Sequence, residues 1–172
     1  LQDRLDLPEP PLRIEAYDVA TIQGRATVAS MVVLEDGLPR RSQYRRFKIR
    51  DVAGQDDFAS MEEVLRRRLT AYLAERELPV EERGRFAYPP GLLLVDGGMG
   101  QVSRAVKVVD ELGLDIPIAG LAKRMEDVYL PGRAEPVRIP RGEDALYLLQ
   151  RVRDEAHRFA NQYHRSLRGK RM

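Results

Sequence analysis

The chain has 172 residues, 43% hydrophobic and 33% charged, with 29 Lys and Arg against 27 Asp and Glu. That is enough for one domain with a real core, and no stretch is long and apolar enough to span a bilayer. It has no cysteine, which excludes disulfides, thiolate catalysis and Cys-based zinc sites. The net charge is only +2, but basic residues cluster at Arg40-Arg41, Arg45-Arg46, Arg66-Arg67-Arg68 and Arg165 to Arg171. Such clusters suit phosphate backbones, and they suit solvated faces equally well.

Residues 1–12 are polar and carry Pro8, Pro10 and Pro11, so they read as a linker or lead-in arm. Without an initial Met the chain reads as a piece of a longer protein, and no secretory signal opens it. Arg13 to Ala20 predicts a first strand, with Ile14, Ala16 and Asp18 on one face. Ala26 to Leu34 predicts a second, and Glu35-Asp36-Gly37 is a hairpin signal. Gln43 to Ile49 predicts a third. The period then changes. Asp56 or Asp57 can cap a helix running to about Glu77, with Phe58, Met61, Leu65, Leu69 and Tyr72 on its apolar face.

The apolar run Leu92-Leu93-Leu94-Val95 ends in Asp96 and reads as a buried central strand. The turn Gly97-Gly98-Met99-Gly100 leads into a helix with Val102, Ala105, Val106, Val109 and Leu112 inward. Ile116 to Ala122 predicts a further strand, and Glu126 to Pro140 a small two-stranded excursion. A last helix is expected from about Glu143 to Tyr163, its buried stripe formed by Leu148, Leu149, Val152, Ala156, Phe159 and Tyr163; a basic tail follows. Three strands in series followed by strand–helix–strand crossovers predict an α/β fold of RNase H-like order. The expected core is a mixed five-stranded sheet with helices on both faces and an inserted hairpin.

Three positions carry the chemistry. Asp96 ends an apolar strand, where a carboxylate is costly unless it is paired or binds a cation. If the first strand lies beside that one, Asp18 meets Asp96 at the carboxyl end of the sheet, where open α/β sheets collect their sites. Two close carboxylates repel, and a divalent cation relieves the repulsion; oxygen donors favour magnesium or manganese. His157 falls roughly 120° from the centre of its helix's apolar stripe, on the side of Gln150, Arg153, Asn161 and His164. There it can ligate metal or take a proton from water. Each also has a structural reading: Asp96 as a turn residue, Asp18 as a satisfied edge carboxylate, His157 as a flanking core histidine. The glycine turn lacks the Walker lysine and the dinucleotide fingerprint.

Around these residues the sequence resembles the C-terminal endonuclease half of UvrC, the bacterial nucleotide excision repair nuclease. The similarity is carried by Arg13-Ile14-Glu15-Ala16-Tyr17-Asp18 with Gln23-Gly24, by Tyr44-Arg45-Arg46-Phe47 and by Asp56-Asp57-Phe58-Ala59-Ser60-Met61. It continues through Leu94-Val95-Asp96-Gly97-Gly98, Leu121-Ala122-Lys123, Leu130-Pro131-Gly132 and Arg153-Asp154-Glu155-Ala156-His157-Arg158-Phe159-Ala160, and covers about residues 13–168. The resemblance implies a metal-dependent endonuclease that makes the incision on the 5′ side of a DNA lesion. Its two catalytic Asp and one His map onto Asp18, Asp96 and His157, and a further family carboxylate onto Asp57. Asp18 and Asp96 are the expected ligands of Mg²⁺ or Mn²⁺. Arg45, Arg46, Lys48, Lys123 and Arg158 are the expected backbone contacts.

The implied partners are damaged duplex DNA, UvrB and, indirectly, UvrA, in the bacterial cytoplasm with no membrane involved. The family's other nuclease domain, its UvrB-binding segment and its helix-hairpin-helix module do not occur in these 172 residues. Two positions depart from the family pattern: Ala20-Thr21 stand where Ser-His is common, and Met99 where many members carry Lys. The alternatives from other classes are a catalytically silent DNA-binding or scaffolding module and a nucleotide-dependent phosphotransferase using the glycine turn.

Overall fold

The computed structural model describes residues 1–22, 26–50, 56–122 and 127–170, with Ile22 and residues 164–170 described by backbone alone. Its centre is a mixed sheet. Strands β1 (Arg13–Ile22) and β2 (Ala26–Glu35) are antiparallel and pair Asp18 with Ser30. The β2 hairpin closes at Asp36 and Gly37, both at positive φ (51° and 78°), and returns as the two-residue strand β3 (Leu38–Pro39). Positive φ at both turn positions matches the strand twist, and glycine adopts it at no steric cost. After a single 3-10 turn, β4 (Arg45–Lys48) pairs with the other end of β2 and sets Arg46 against Ser30.

Helix α1 (Asp57–Glu75) follows, then β5 (Leu92–Asp96), α2 (Met99–Glu111), β6 (Ile118–Leu121), β7 (Asp127–Tyr129), β8 (Val137–Arg138) and α3 (Asp144–Lys170). β5 runs parallel to both β1 and β6, and the strand order is β3-β2-β1-β5-β6-β7-β8, with β4 also on β2. The five expected strands are therefore β1, β2, β4, β5 and β6. The excursion does not stand apart: β7 pairs antiparallel with β6, so the small hairpin extends the sheet, which has eight strands among the described residues. Strand β3, of two residues, leaves too short an alternation to be read from sequence.

Alternation along β1 divides the chemistry between the two faces of the sheet. Glu15 and Tyr17 point toward α1, whose Arg68 bonds Glu15. Asp18 points toward α3, which carries His157. Helices α1 and α2 cover one face and α3 the other. The core contains Leu92, Leu93, Leu94 and Val95 of β5, buried on both faces as the continuous apolar run requires.

Three details differ from expectation. In α1, Met61, Val64, Leu65, Arg68 and Leu69 are buried, whereas Phe58 is 44% exposed; the expected apolar face was displaced at its first residue, and Arg68 belongs to the interior rather than to a basic patch. In α2 the fourth fully buried position is Val108, with Val106 only half-buried. Helix α3 continues through Lys170, beyond the apolar stripe that limited it in the sequence. The first twelve residues lie on the domain, with Leu5 buried at 3% and Arg4 paired with Glu143.

Candidate active site

Tyr17 pairs with Val95 in the parallel register of β1 and β5, so the next residue on each strand is a carboxylate, Asp18 and Asp96. Both lie on the α3 face. Leu149, Val152 and Ala156 bury the inner stripe of α3, and His157, one step round from Ala156, stands at its edge. Its Nε2 is 3.2 Å from Asp96 Oδ2 and 3.9 Å from Asp18 Oδ2. The three side chains are 12% (Asp18), 10% (Asp96) and 29% (His157) exposed, so the imidazole is the most open to solvent.

One ligand atom from each of the three lies within 4.8 Å of the others. Octahedral ligands at ~2.1 Å from a small divalent cation sit roughly 3 Å apart, so this spacing fits one with little adjustment. Two hard carboxylate oxygens suit magnesium or manganese. The residues present therefore fit the implied metal.

The turn after Asp96 is shaped by a close approach. At Gly120 of β6 a Cβ would lie 2.6 Å from the Gly97 carbonyl oxygen and 2.7 Å from Val102 Cγ2. Glycine at 120 lets the Gly97-Gly98 turn fold over the sheet into α2, whose N-cap Gly98 has no capping side chain. The positive end of the α2 dipole thus lies at the carboxylate end of β5.

The profile of the UvrC RNase H endonuclease domain matches residues 2–161. The chain belongs to this family. It is 54% identical, over 98% of its own length, to UvrABC system protein C of Parafrankia sp. (strain EAN1pec), and 54% identical over its whole length to that of Mycolicibacterium paratuberculosis (strain ATCC BAA-968 / K-10). It spans 28% of the length of each of these curated relatives. Among solved structures it is similar to Ciona intestinalis endonuclease V in complex with a 24mer DNA containing an inosine followed by a ribo-adenosine. There the TM-score is 0.47 at 14% identity, over 87% of this chain and 58% of that one. Human ENDOV gives 0.43 at 18%, over 72% and 51%.

In this UvrC-family domain the other expected site residues are spread more widely. Asp57 is exposed in the first turn of α1, and it is Asp56 that caps the helix through the Ala59 N–H. Asp57 does not join the cluster of Asp18, Asp96 and His157. Arg45 lies on the α1 face, its guanidinium over the rings of Phe47 and Phe86, because alternation sends it away from Asp18. Arg46 is on the triad face but is occupied: it donates to the Phe159 carbonyl at 2.8 Å and stacks 3.7 Å from the Phe159 ring centroid. Burial there lowers its pKa. Lys48 is exposed on the triad face, two residues beyond Arg46. Arg158 is exposed and paired with Glu155. Lys123 and the Gln23-Gly24 motif lie outside the described residues.

Two clusters escaped the sequence reading. Glu15, fully buried, accepts from Arg68, Arg13 and Tyr17. Burial pushes its carboxyl up, but the charges of Arg68 and Arg13 and the Tyr17 hydroxyl hold it below its ordinary value. Arg68 also donates to the Phe86 and Tyr88 carbonyls, which ties α1 and β1 to the loop that leads into β5. The signal was present: Arg68 falls at i+3 from Leu65, inside the apolar stripe of α1. On the other face, Tyr44 donates to Glu155 at 2.9 Å and its ring meets Phe159 edge-on, which anchors α3. Burial and the neighbouring Glu155 carboxylate push the Tyr44 hydroxyl pKa well up.

Proposed function

We propose that this domain hydrolyses a DNA phosphodiester with the help of a divalent cation, magnesium or manganese, and that the cut it makes is the 5′ incision of bacterial nucleotide excision repair. The observation that carries this reading is the convergence of Asp18, Asp96 and His157 within 4.8 Å in a chain of an endonuclease family. Asp18 and Asp96 would hold the cation. When bound, it supplies positive charge at the scissile phosphate and lowers the cost of forming the attacking hydroxide.

His157, on the open side of the cluster, takes the water's proton as the water oxygen bonds to phosphorus and the leaving oxygen departs. Its contact with Asp96, at 3.2 Å, orients the ring. Asp57, at the outer end of α1, acts on DNA or on a partner rather than on the triad. Among the described residues Lys48 is the best-placed contact for the DNA backbone, with Arg158 available once released from Glu155; Lys123 is a further candidate. Such contacts position DNA without reading sequence. Arg46 serves α3 packing, and Arg45 faces away from the cut.

Lesion recognition and contact with UvrB, and through it UvrA, belong in this reading to the remaining length of the relatives. The reading places the protein in the bacterial cytoplasm. Among the described residues, no helix is long and apolar enough to cross a membrane. Calorimetry tests the site: the chain should bind manganese, and Asp18→Asn should abolish that binding. Equal binding by the two would contradict the assignment and favour a catalytically silent DNA-binding module.

A further inference from the structure

A groove on the α1 face takes no part in the triad. It has a volume of about 480 Å³ and is lined by Arg45 and Phe47 of β4, by Arg66, Arg67 and Thr70 of α1, and by Phe86. The Phe47 and Phe86 rings lie 6.0 Å apart and are buried at 3% and 6%. Guanidiniums stand over them. Arg45 is 5.6 Å from the Phe47 centroid and 5.1 Å from that of Phe86, and Arg67 is 5.2 Å from that of Phe47. A ring face holds a guanidinium in place without neutralising it.

The three charges differ in their pairing. Arg66 meets Glu111 at 2.7 Å and Arg67 meets Glu63 at 3.3 Å. Arg45 is exposed, and among the described residues its contacts are the two rings, with no carboxylate. Arg67 also donates to the Lys48 carbonyl at 2.6 Å. Among the described residues β4 pairs with β2 alone, so its other side is an edge of the sheet. Lys48 stands on the triad side of that edge, and Arg45 and Arg67 on the other. Positive charge therefore runs round the edge, from Lys48 into the groove.

The groove offers charge and one hydroxyl, that of Thr70. Its rings are buried under guanidiniums, so it presents no apolar slot for a peptide side chain and no open ring on which a base could stack. Guanidinium forks without a reading pocket suit a phosphodiester backbone, bound whatever its sequence.

We propose that this groove is a second phosphate-backbone site, which binds the DNA that runs on from the triad after it has passed Lys48 at the β4 edge. The inference rests on the reading that the domain acts on DNA. Groove and triad lie on opposite faces of the sheet, so DNA that touches both is bent round the edge, and the added phosphate contacts offset the bending.

The test uses the full-length protein and lesion-bearing duplex. Binding is followed by fluorescence anisotropy in chelator over a range of KCl, and incision is followed with magnesium. Arg45→Gln with Arg66→Gln should lower the slope of log affinity against log salt by about 1 to 2, since each lost phosphate contact removes about 0.9. At low salt its affinity should fall about tenfold, and incision should show a raised KM with kcat unchanged. Arg45→Lys, which keeps the charge, should retain the parent's slope. So should Arg133→Gln, which removes an exposed arginine beside Asp6 of the N-terminal arm. An unchanged slope in the double variant would overturn the proposal, and so would an equal fall in Arg133→Gln, which would mean that only net charge matters. Should the double variant not fold, the slope of Arg45→Gln alone decides, with a fall of about 0.9 expected. Failure of the underlying reading shows separately, as incision by Asp96→Asn at the parent's rate.

Discussion

The two faces of β1 handle buried charge in opposite ways. On the α1 face, Glu15 is fully enclosed and its two oxygens receive four donors at 2.6 to 3.0 Å. On the α3 face, Asp18 and Asp96 keep some exposure, and the imidazole they share lies at 3.9 and 3.2 Å. The first cluster is closed, with its shell filled by the protein at short range. The second is spaced for something to enter. Three residues along one strand separate a cluster whose shell the protein fills itself from the cluster to which we assign the chemistry.

The largest effect that sharpens this contrast is loss of incision. Asp18→Asn or Asp96→Ala in the full-length protein should lower the incision rate at least about a thousandfold, some 4 kcal/mol of barrier. The melting temperature should move by no more than about 4 °C. Incision kinetics and thermal unfolding of the same preparations check this, and a variant that unfolds instead would erase the distinction between the faces. The reverse pattern is expected for Arg68→Ala. Removing one partner of a buried ion pair costs about 3–5 kcal/mol, to be read as a lowered urea midpoint, while the folded fraction keeps its manganese affinity.

Next in size is the acid limb of stability. Because the Glu15 carboxyl is held below its ordinary value of 4.5, its contribution is fully present above about pH 5. It is lost as pH falls through the folded-state value. Urea unfolding of Glu15→Gln between pH 3 and 7 should show a lower plateau and a shallower acid decline than the parent; parallel curves would mean that Glu15 is not the group involved. The smallest effect belongs to the α3 anchor. Tyr44→Phe removes one hydrogen bond to Glu155 and should cost about 1 kcal/mol, with Asp56→Ala at the α1 cap costing about the same.

Much of the triad face could be read from the sequence, because each of its residues breaks a local pattern. Asp96 ends an otherwise apolar strand, Asp18 stands where the Ile14–Ala16 alternation of β1 calls for an apolar residue, and His157 sits just off a helical stripe. The pairing of β1 with β5, on which the convergence depends, was only a condition in the sequence, and the parallel register supplies it. The closed face was not read. Glu15 alternates with Ile14 and Ala16 as a solvent-facing residue would, and only the helix packed on that side turns it inward. Arg68 was hidden in a run of three arginines, two of which are indeed at the surface. Arg45 and Arg46 looked like one basic patch, but strand alternation sends them to opposite faces, one onto Phe86 and the other onto Phe159. Phe58 was placed in the core by spacing alone; its ring instead rests against Gly100, where a Cβ would lie 2.6 Å away.

The most direct test of the central claim is an incision assay on lesion-bearing duplex, with this domain in its full-length protein and the other components of the system present. Parent and His157→Ala should be compared in magnesium, in manganese and in excess chelator, with the 5′ cut scored separately. The parent should make a 5′ cut that disappears in chelator and returns with added metal, and His157→Ala should make none under any of the three conditions. A 5′ cut that persists in chelator, or one that His157→Ala makes as fast as the parent, would contradict the claim.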